Sequence, residues 1–151
     1  MNDPSLILVG CVKTKRTTSA PAKDLYTSAL FAKRRRYAEA ARVPWLIVSA
    51  KDPGFIEIDD VLAPYERVMT KLTKDERAKW VAVATSAARE ILPRLEIPHG
   101  STVEVHAGAA YVAAVRRVFE EVRPDLQVVS PLEGLKMGEQ LRWYNQRVRS
   151  E

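Results

Sequence analysis

The residues able to do chemistry in this chain are few, and most of them follow runs of apolar residues. Lys13 and Lys15 come after LILVGCV, Ser49 and Lys51 close WLIVS and its extension, and His106 and Tyr111 close and follow TVEVH. Lysine ammonium groups beside a serine hydroxyl suit recognition of a phosphate or a carboxylate. His106 could act as a general base or donate to a developing oxyanion, or it could be a packed histidine satisfied by backbone. Asp24 is the single acid between Val12 and Arg36. Its basic neighbours would keep it ionised, as a base or as a stabiliser of a cationic transition state. The other reading of Asp24 is an N-cap for a helix that begins near Tyr26.

The charge around Asp24 is lopsided. The span from Val12 to Arg36 holds eight basic residues, Lys13, Lys15, Arg16, Lys23, Lys33, Arg34, Arg35 and Arg36, so it carries +7 within a chain of formal net charge +5. Such a local field attracts phosphates or acidic surfaces, and the run Lys33, Arg34, Arg35 and Arg36 could track a nucleic-acid backbone. A solvated helix face is the alternative for the same run. Tyr26, Tyr65 and Tyr111 adjoin the same region and offer rings on which a base could stack, whereas Phe31 reads as core. Gly108, between a strand and a helix, permits close approach of a ligand or simply a tight turn. HAGAAY is not a GxGxxG fingerprint and no Walker A sequence is present, which disfavours nucleoside triphosphate binding by those routes.

Cys11 lies in an apolar run without a base partner in sequence, and His99 lies in a turn with no assigned role. Two histidines and one cysteine leave too few ligands for a transition-metal site, so no metal is expected. One cysteine also excludes an intrachain disulfide framework. No cofactor is called for.

These residues need elements to position them. Leu6–Val12 reads as a buried strand of a parallel sheet, followed by the loop KTKRTTSAPAKD. Tyr26–Arg42 reads as a helix with Leu30, Tyr37 and Ala41 on one face. Trp45–Ser49 is a second strand, and Lys51–Gly54 a turn. Thr73 and Glu76 form a capping box that opens a helix running to about Leu92, limited by Pro93. Thr102–His106 is a third strand, then comes a helix with Tyr111, Val115, Val118 and Val122 on its apolar stripe. Leu126–Val129 is a fourth strand, and Gly138–Arg149 a final helix after a loop with two glycines.

Alternating strands and helices predict one α/β domain over residues 1–151. Its core is an open, mostly parallel four-stranded sheet with helices on both faces. In such sheets ligands bind at the carboxyl ends of the strands. Parallel strands would therefore gather Lys13, Lys15, Ser49, Lys51, His106 and Tyr111 into one cleft. With 46% hydrophobic and 28% charged residues the chain has an ordinary globular composition, and no apolar stretch reaches membrane-spanning length. The amino-terminal charges follow the apolar run, the reverse of a signal peptide, so a cytoplasmic protein without membrane contact is expected.

Six blocks taken together are distinctive: LVGCVKTK, DLYTSALFAKRRRYAE, WLIVSAKDPGFI, APYE, VHAGAAY and PLEGLKMGEQLRWYNQ. Their order and spacing resemble an uncharacterised family of small bacterial and phage domains, over Leu6 to about Tyr144. That family is distantly similar to the peroxide-stress protein YaaA and to a uracil-DNA-glycosylase-like domain of archaeosine synthase. The resemblance implies an α/β domain that engages nucleic acid or a nucleobase. It points to Lys13, Lys15, Asp24, Tyr26, Ser28, Ser49, Lys51, Tyr65, His106, Gly108, Tyr111, Gly134 and Gly138. The chain departs from the family pattern at Asp52–Phe55, where a Tyr-Gly-Leu-like run is usual, and at Lys136–Met137, where Gly-Ile is common.

The expectation drawn from residues and resemblance is a nucleic-acid enzyme, with DNA expected over RNA. Its concrete form is glycosylase-like hydrolysis of an N-glycosidic bond. Asp24 or His106 would position water or stabilise charge. Lys13, Lys15, Ser28, Ser49, Lys51, Gly108 and Gly134 would hold phosphate or substrate, and a tyrosine would stack the base. A non-catalytic DNA- or RNA-binding module, or an enzyme of free nucleotides or phosphorylated metabolites, would use the same cleft.

Overall fold

The computed structural model describes residues 3–148. Five strands form the main sheet: β1 (Pro4–Gly10), β3 (Trp45–Val48), β4 (Phe55–Ile56), β6 (Thr102–His106) and β7 (Gln127–Val129). Their order is β4-β3-β1-β6-β7. β1 pairs in parallel with β3 and β6, and β6 with β7, while β4 returns antiparallel along β3. A separate two-stranded antiparallel sheet joins β2 (Ala20–Pro21) to β5 (Val61–Leu62).

The four expected strands are present, and β4 is an addition. Its two residues follow the Lys51–Gly54 turn, where Gly54 accepts from Ser49 N–H at 2.8 Å and donates to Lys51 O at 2.9 Å. Two residues show no periodicity, so only the turn marks this strand. Gly54 is required there: its φ is +90°, and a Cβ would sit 3.0 Å from the Trp80 ring.

Alternation along β1 sends Leu6 and Leu8 to one face and Ile7 and Val9 to the other. All four are fully buried, because both faces carry helices. The first face is covered by α3 (Lys74–Leu95) and α4 (Ala109–Val122), through Trp80, Ala84, Ala88 and Ile91 of α3 and Val112, Val115, Val118 and Phe119 of α4. The second is covered by α1 (Ala22–Leu25), α2 (Ala29–Ala40) and α5 (Met137–Val148). The result is three layers, α on β on α.

Local signals set the helix ends. Thr73 and Glu76 make the reciprocal capping box at the start of α3. α3 runs past Pro93 to Leu95, rather than stopping at Leu92, and its C-cap Glu96 is left-handed. A proline so near the end forfeits one intrahelical bond, and the packing of Ile91 and Leu92 in the core outweighs that loss. α2 is shorter than expected, because Ser28 caps it by accepting from Phe31 N–H at 3.1 Å. α5 begins at Met137, one residue early, and Arg149 lies outside the described residues.

β1 and the residue after β6 are tightly apposed at Gly10. A Cβ on Gly10 would lie 2.5 Å from Ala107 Cβ, so only glycine fits there. Among the described residues no helix is long and apolar enough to cross a membrane.

Candidate functional site

The parallel strands place the ends of β1, β3 and β6 on one edge, as the strand pattern requires. The loop after β1 is fixed against the segment before α2. Arg16 N–H donates to Leu25 O at 2.8 Å, Thr27 N–H donates to Thr14 O at 3.0 Å, and Lys15 bridges Tyr26. The β2–β5 pair then brings the 61–65 segment alongside, so that Tyr26 and Tyr65 meet. Trp80 donates its indole N–H to Ser49 O at 2.8 Å, which anchors the end of β3.

These supports assemble a row of three hydroxyls. Tyr65 OH lies 2.6 Å from Tyr26 OH and also bonds Ser49 Oγ. Ser49 Oγ accepts from Lys51 N–H at 3.0 Å. Burial raises the Tyr26 phenol to about 12, and burial likewise pushes Tyr65 upward, so both stay protonated at neutral pH. Lys15 Nζ stands 4.5 Å from the Tyr65 ring centroid and 5.7 Å from that of Tyr26, and it donates to Lys13 O at 3.0 Å. Lys51 Nζ stands 5.7 Å from the same Tyr65 ring. Partial burial lowers the Lys15 ammonium from its ordinary value. Beside this row Cys11 Sγ lies 3.2 Å from Tyr111 OH.

A groove of about 670 Å3 opens next to the row, lined by Lys13, Thr14, Lys15, Glu66, Arg67, Val68, Lys71 and Leu72. One wall is the loop after β1. The other is the stretch leading into a 3-10 turn at Met69–Lys71. That second wall is held by the buried Met69, whose N–H donates to Tyr111 OH at 3.3 Å, and by Arg77, which donates to Thr70 O at 3.3 Å. Four cations and one carboxylate therefore face a hollow whose size matches ligand pockets of roughly 300–1,000 Å3. Glu66, Arg67 and Lys71 are missed by sequence reasoning because they sit in an irregular segment between motifs. The APYE block, which ends at Glu66, is the one signal that pointed near them.

Several expected site residues are placed elsewhere. His106 is 1% exposed and faces α2 and α5, not the groove. Its Nε2 lies 2.9 Å from Glu104 Oε1 and its Nδ1 2.7 Å from Tyr144 OH. Tyr37 OH donates to the same Glu104 oxygen at 2.8 Å. Burial lowers His106 despite the carboxylate beside it. Burial works against ionisation of Glu104 too, but hydrogen bonds from His106 and Tyr37 hold it below its ordinary value. The packed reading of this histidine is the one the geometry supports.

Asp24 is neither a helix cap nor a groove residue. Its carboxylate is paired with Arg35 at 2.7 Å, and the hydrogen bond from Arg35 holds it low. Arg35 also bonds Glu39 and Lys23 O, and Lys23 pairs with Asp59 at 2.8 Å. Arg34 is 5% exposed and donates to Gly10 O at 3.2 Å, so it cannot meet a nucleic-acid backbone. Of the expected backbone track only Lys33, half-buried, and Arg36, exposed, remain available.

Tyr26 and Tyr111 are buried, with Tyr26 packed on Phe31 at 5.0 Å between centroids, so neither ring offers an open stacking face. The Tyr65 ring is half-buried and carries Lys15. Ser28 is spent as the α2 cap. Gly108 is the exposed N-cap of α4, and Gly134 an exposed turn residue at φ +84°. Among the described residues no three of His, Cys, Asp and Glu gather as a metal cluster.

Residues 6–146 match the model of a family described as being of unknown function, DUF6884. No curated protein and no solved structure matches the chain, and no homology to the peroxide-stress protein or to the glycosylase-like domain emerges. With nearly its whole length covered by that one family model, the chain belongs to the DUF6884 family.

Proposed function

We propose that this domain binds nucleic acid by its phosphates, in the groove between the loop after β1 and the 3-10 turn at Met69–Lys71. One observation carries the reading: Lys13, Lys15, Arg67 and Lys71 surround a single hollow that holds one carboxylate. Cations gathered in a concave site focus their field more than the same charges spread over a helix face. The basic span after β1 supports it less than its total suggests, since Lys23 and Arg35 are neutralised by partners and Arg34 is buried.

The test is fluorescence anisotropy with single-stranded and duplex DNA and with RNA at low salt. Binding that is lost when Lys13, Lys15, Arg67 and Lys71 are replaced together by glutamine is expected. Absence of binding to all three by the native protein overturns the reading.

A hydrolytic version rests on Glu66, the one carboxylate that lines the groove. Asp24 and His106 are engaged elsewhere, so Glu66 is the carboxylate in position to activate water at a bound nucleoside. Release of a base from modified oligonucleotides, seen as abasic sites, would support it. Glu66→Gln should remove that product without weakening binding, and unchanged product would exclude Glu66.

A further inference from the structure

We infer that the inner end of the groove is a subsite for a terminal phosphomonoester, held by Lys15 and Lys51 beside the Tyr65 hydroxyl. The inference rests on the phosphate-binding reading and says which phosphate is meant. Lys15 is shared: it lines the groove and also covers the Tyr65 ring. Lys51 approaches the same ring, so the two ammonium groups lie no farther apart than the sum of their 4.5 Å and 5.7 Å distances to its centroid. Among the described residues neither ammonium forms a salt bridge with a carboxylate.

The hydroxyl row supplies a donor. Ser49, Tyr65 and Tyr26 carry one hydroxyl proton each, and the row contains two links between them. One proton therefore has no acceptor within the row, and when Ser49 and Tyr26 both donate to Tyr65 it is the proton of the half-buried Tyr65. An anionic oxygen would accept it. The raised phenols keep these groups protonated as donors.

Behind Tyr65 the row runs into the core. Ser49 is fully buried and Tyr26 is 5% exposed, so a polynucleotide cannot thread past them. A chain end, or a mononucleotide, must stop there. A monoester brings roughly −1.5 to −2 charges and three free oxygens, against one charge and two oxygens for an internal diester. Two ammonium groups and a hydroxyl donor match the first.

The test compares short single-stranded DNAs of one sequence ending in a 5′-phosphate, a 5′-hydroxyl or a 3′-phosphate, each labelled at the other end. A phosphate at one terminus should tighten binding by about tenfold or more over the hydroxyl form. The gain should fall as pH drops through about 6, where the monoester loses its second charge. Lys51→Gln should abolish the difference and Lys51→Arg should keep it. Competition by the matching mononucleotide would assign the subsite to free nucleotides as well, and its failure would assign it to strand ends. Equal affinity of phosphate and hydroxyl ends overturns the subsite while the groove reading stands. No binding of any of these DNAs, or of RNA, overturns the groove reading itself.

Discussion

The buried polar row between β6, α2 and α5 allows one consequence to be worked through in detail. Tyr144 is fully buried, and its hydroxyl sits 2.7 Å from His106 Nδ1. With Glu104 ionised and His106 neutral, Nε2–H donates to the carboxylate and Nδ1 accepts from Tyr144. The Arg34 guanidinium, which donates to Gly10 O and whose Nε lacks a partner, lies near the same hydroxyl. Tyr144→Phe removes the hydroxyl and leaves the buried His106 Nδ1 without its partner. An unsatisfied buried group costs about 1–3 kcal/mol, and at a fully buried site a loss of roughly 2–3 kcal/mol is expected. Tyr37→Phe removes only a bond to Glu104, whose side chain is 14% exposed and keeps His106, so roughly 1 kcal/mol is expected. In urea, with a slope of about 1–3 kcal/mol per molar, the Tyr144 midpoint should shift by roughly 1–2 M and the Tyr37 midpoint by about half that or less. Equal shifts, or a Tyr144 shift within error of zero, would refute the reasoning that the Tyr144–His106 bond anchors α5.

Four other outcomes follow from the same structure. Because His106 is lowered in the folded chain, the unfolded chain binds the proton first; stability should be full above about pH 6.5 and fall as pH drops below it. Thermal melts across that range should show the loss, and His106→Gln should flatten it. Gly10→Ala drives a methyl onto Ala107 and should cost about 1–3 kcal/mol, seen as a lowered melting temperature with an unchanged unfolding slope. Thr73→Ala removes the oxygen that accepts from Glu76 N–H and should cost about 1 kcal/mol in the same assay. If four groove cations each meet a phosphate, log K for single-stranded DNA should fall with log salt at a slope of about −3, and a slope near zero would exclude phosphate contact.

The strands were legible because apolar runs such as LILVG and TVEVH have both the length and the β-branched content of buried parallel strands. Their order along the chain then requires helical crossovers, which yields the layered fold. The site was legible in part, because strand-end position alone gathers Ser49, Lys51 and the loop lysines. It misled at His106, although the period of two places Glu104 and His106 on one face, a pattern that signals a shared internal network. Asp24 was misread because its partner, Arg35, comes from the next helix, and which of several arginines it meets is a tertiary matter. Glu66, Arg67 and Lys71 lie in a segment without regular period, so their joint facing depends on the Met69 anchor and not on local pattern.

The small β2–β5 sheet has a consequence out of proportion to its size. Tyr65 is brought to Tyr26 by two long excursions of the chain that are stitched by the rungs Ala20–Leu62 and Pro21–Val61, with Ala22 and Lys23 donating to Asp60 O and Ile58 O. No rung of the main sheet depends on that stitching. Because Ala22, Leu25 and Tyr26 also pack on Ile7 and Val9 of β1, parting the two excursions would undo the tyrosine row and uncover that face of the sheet together.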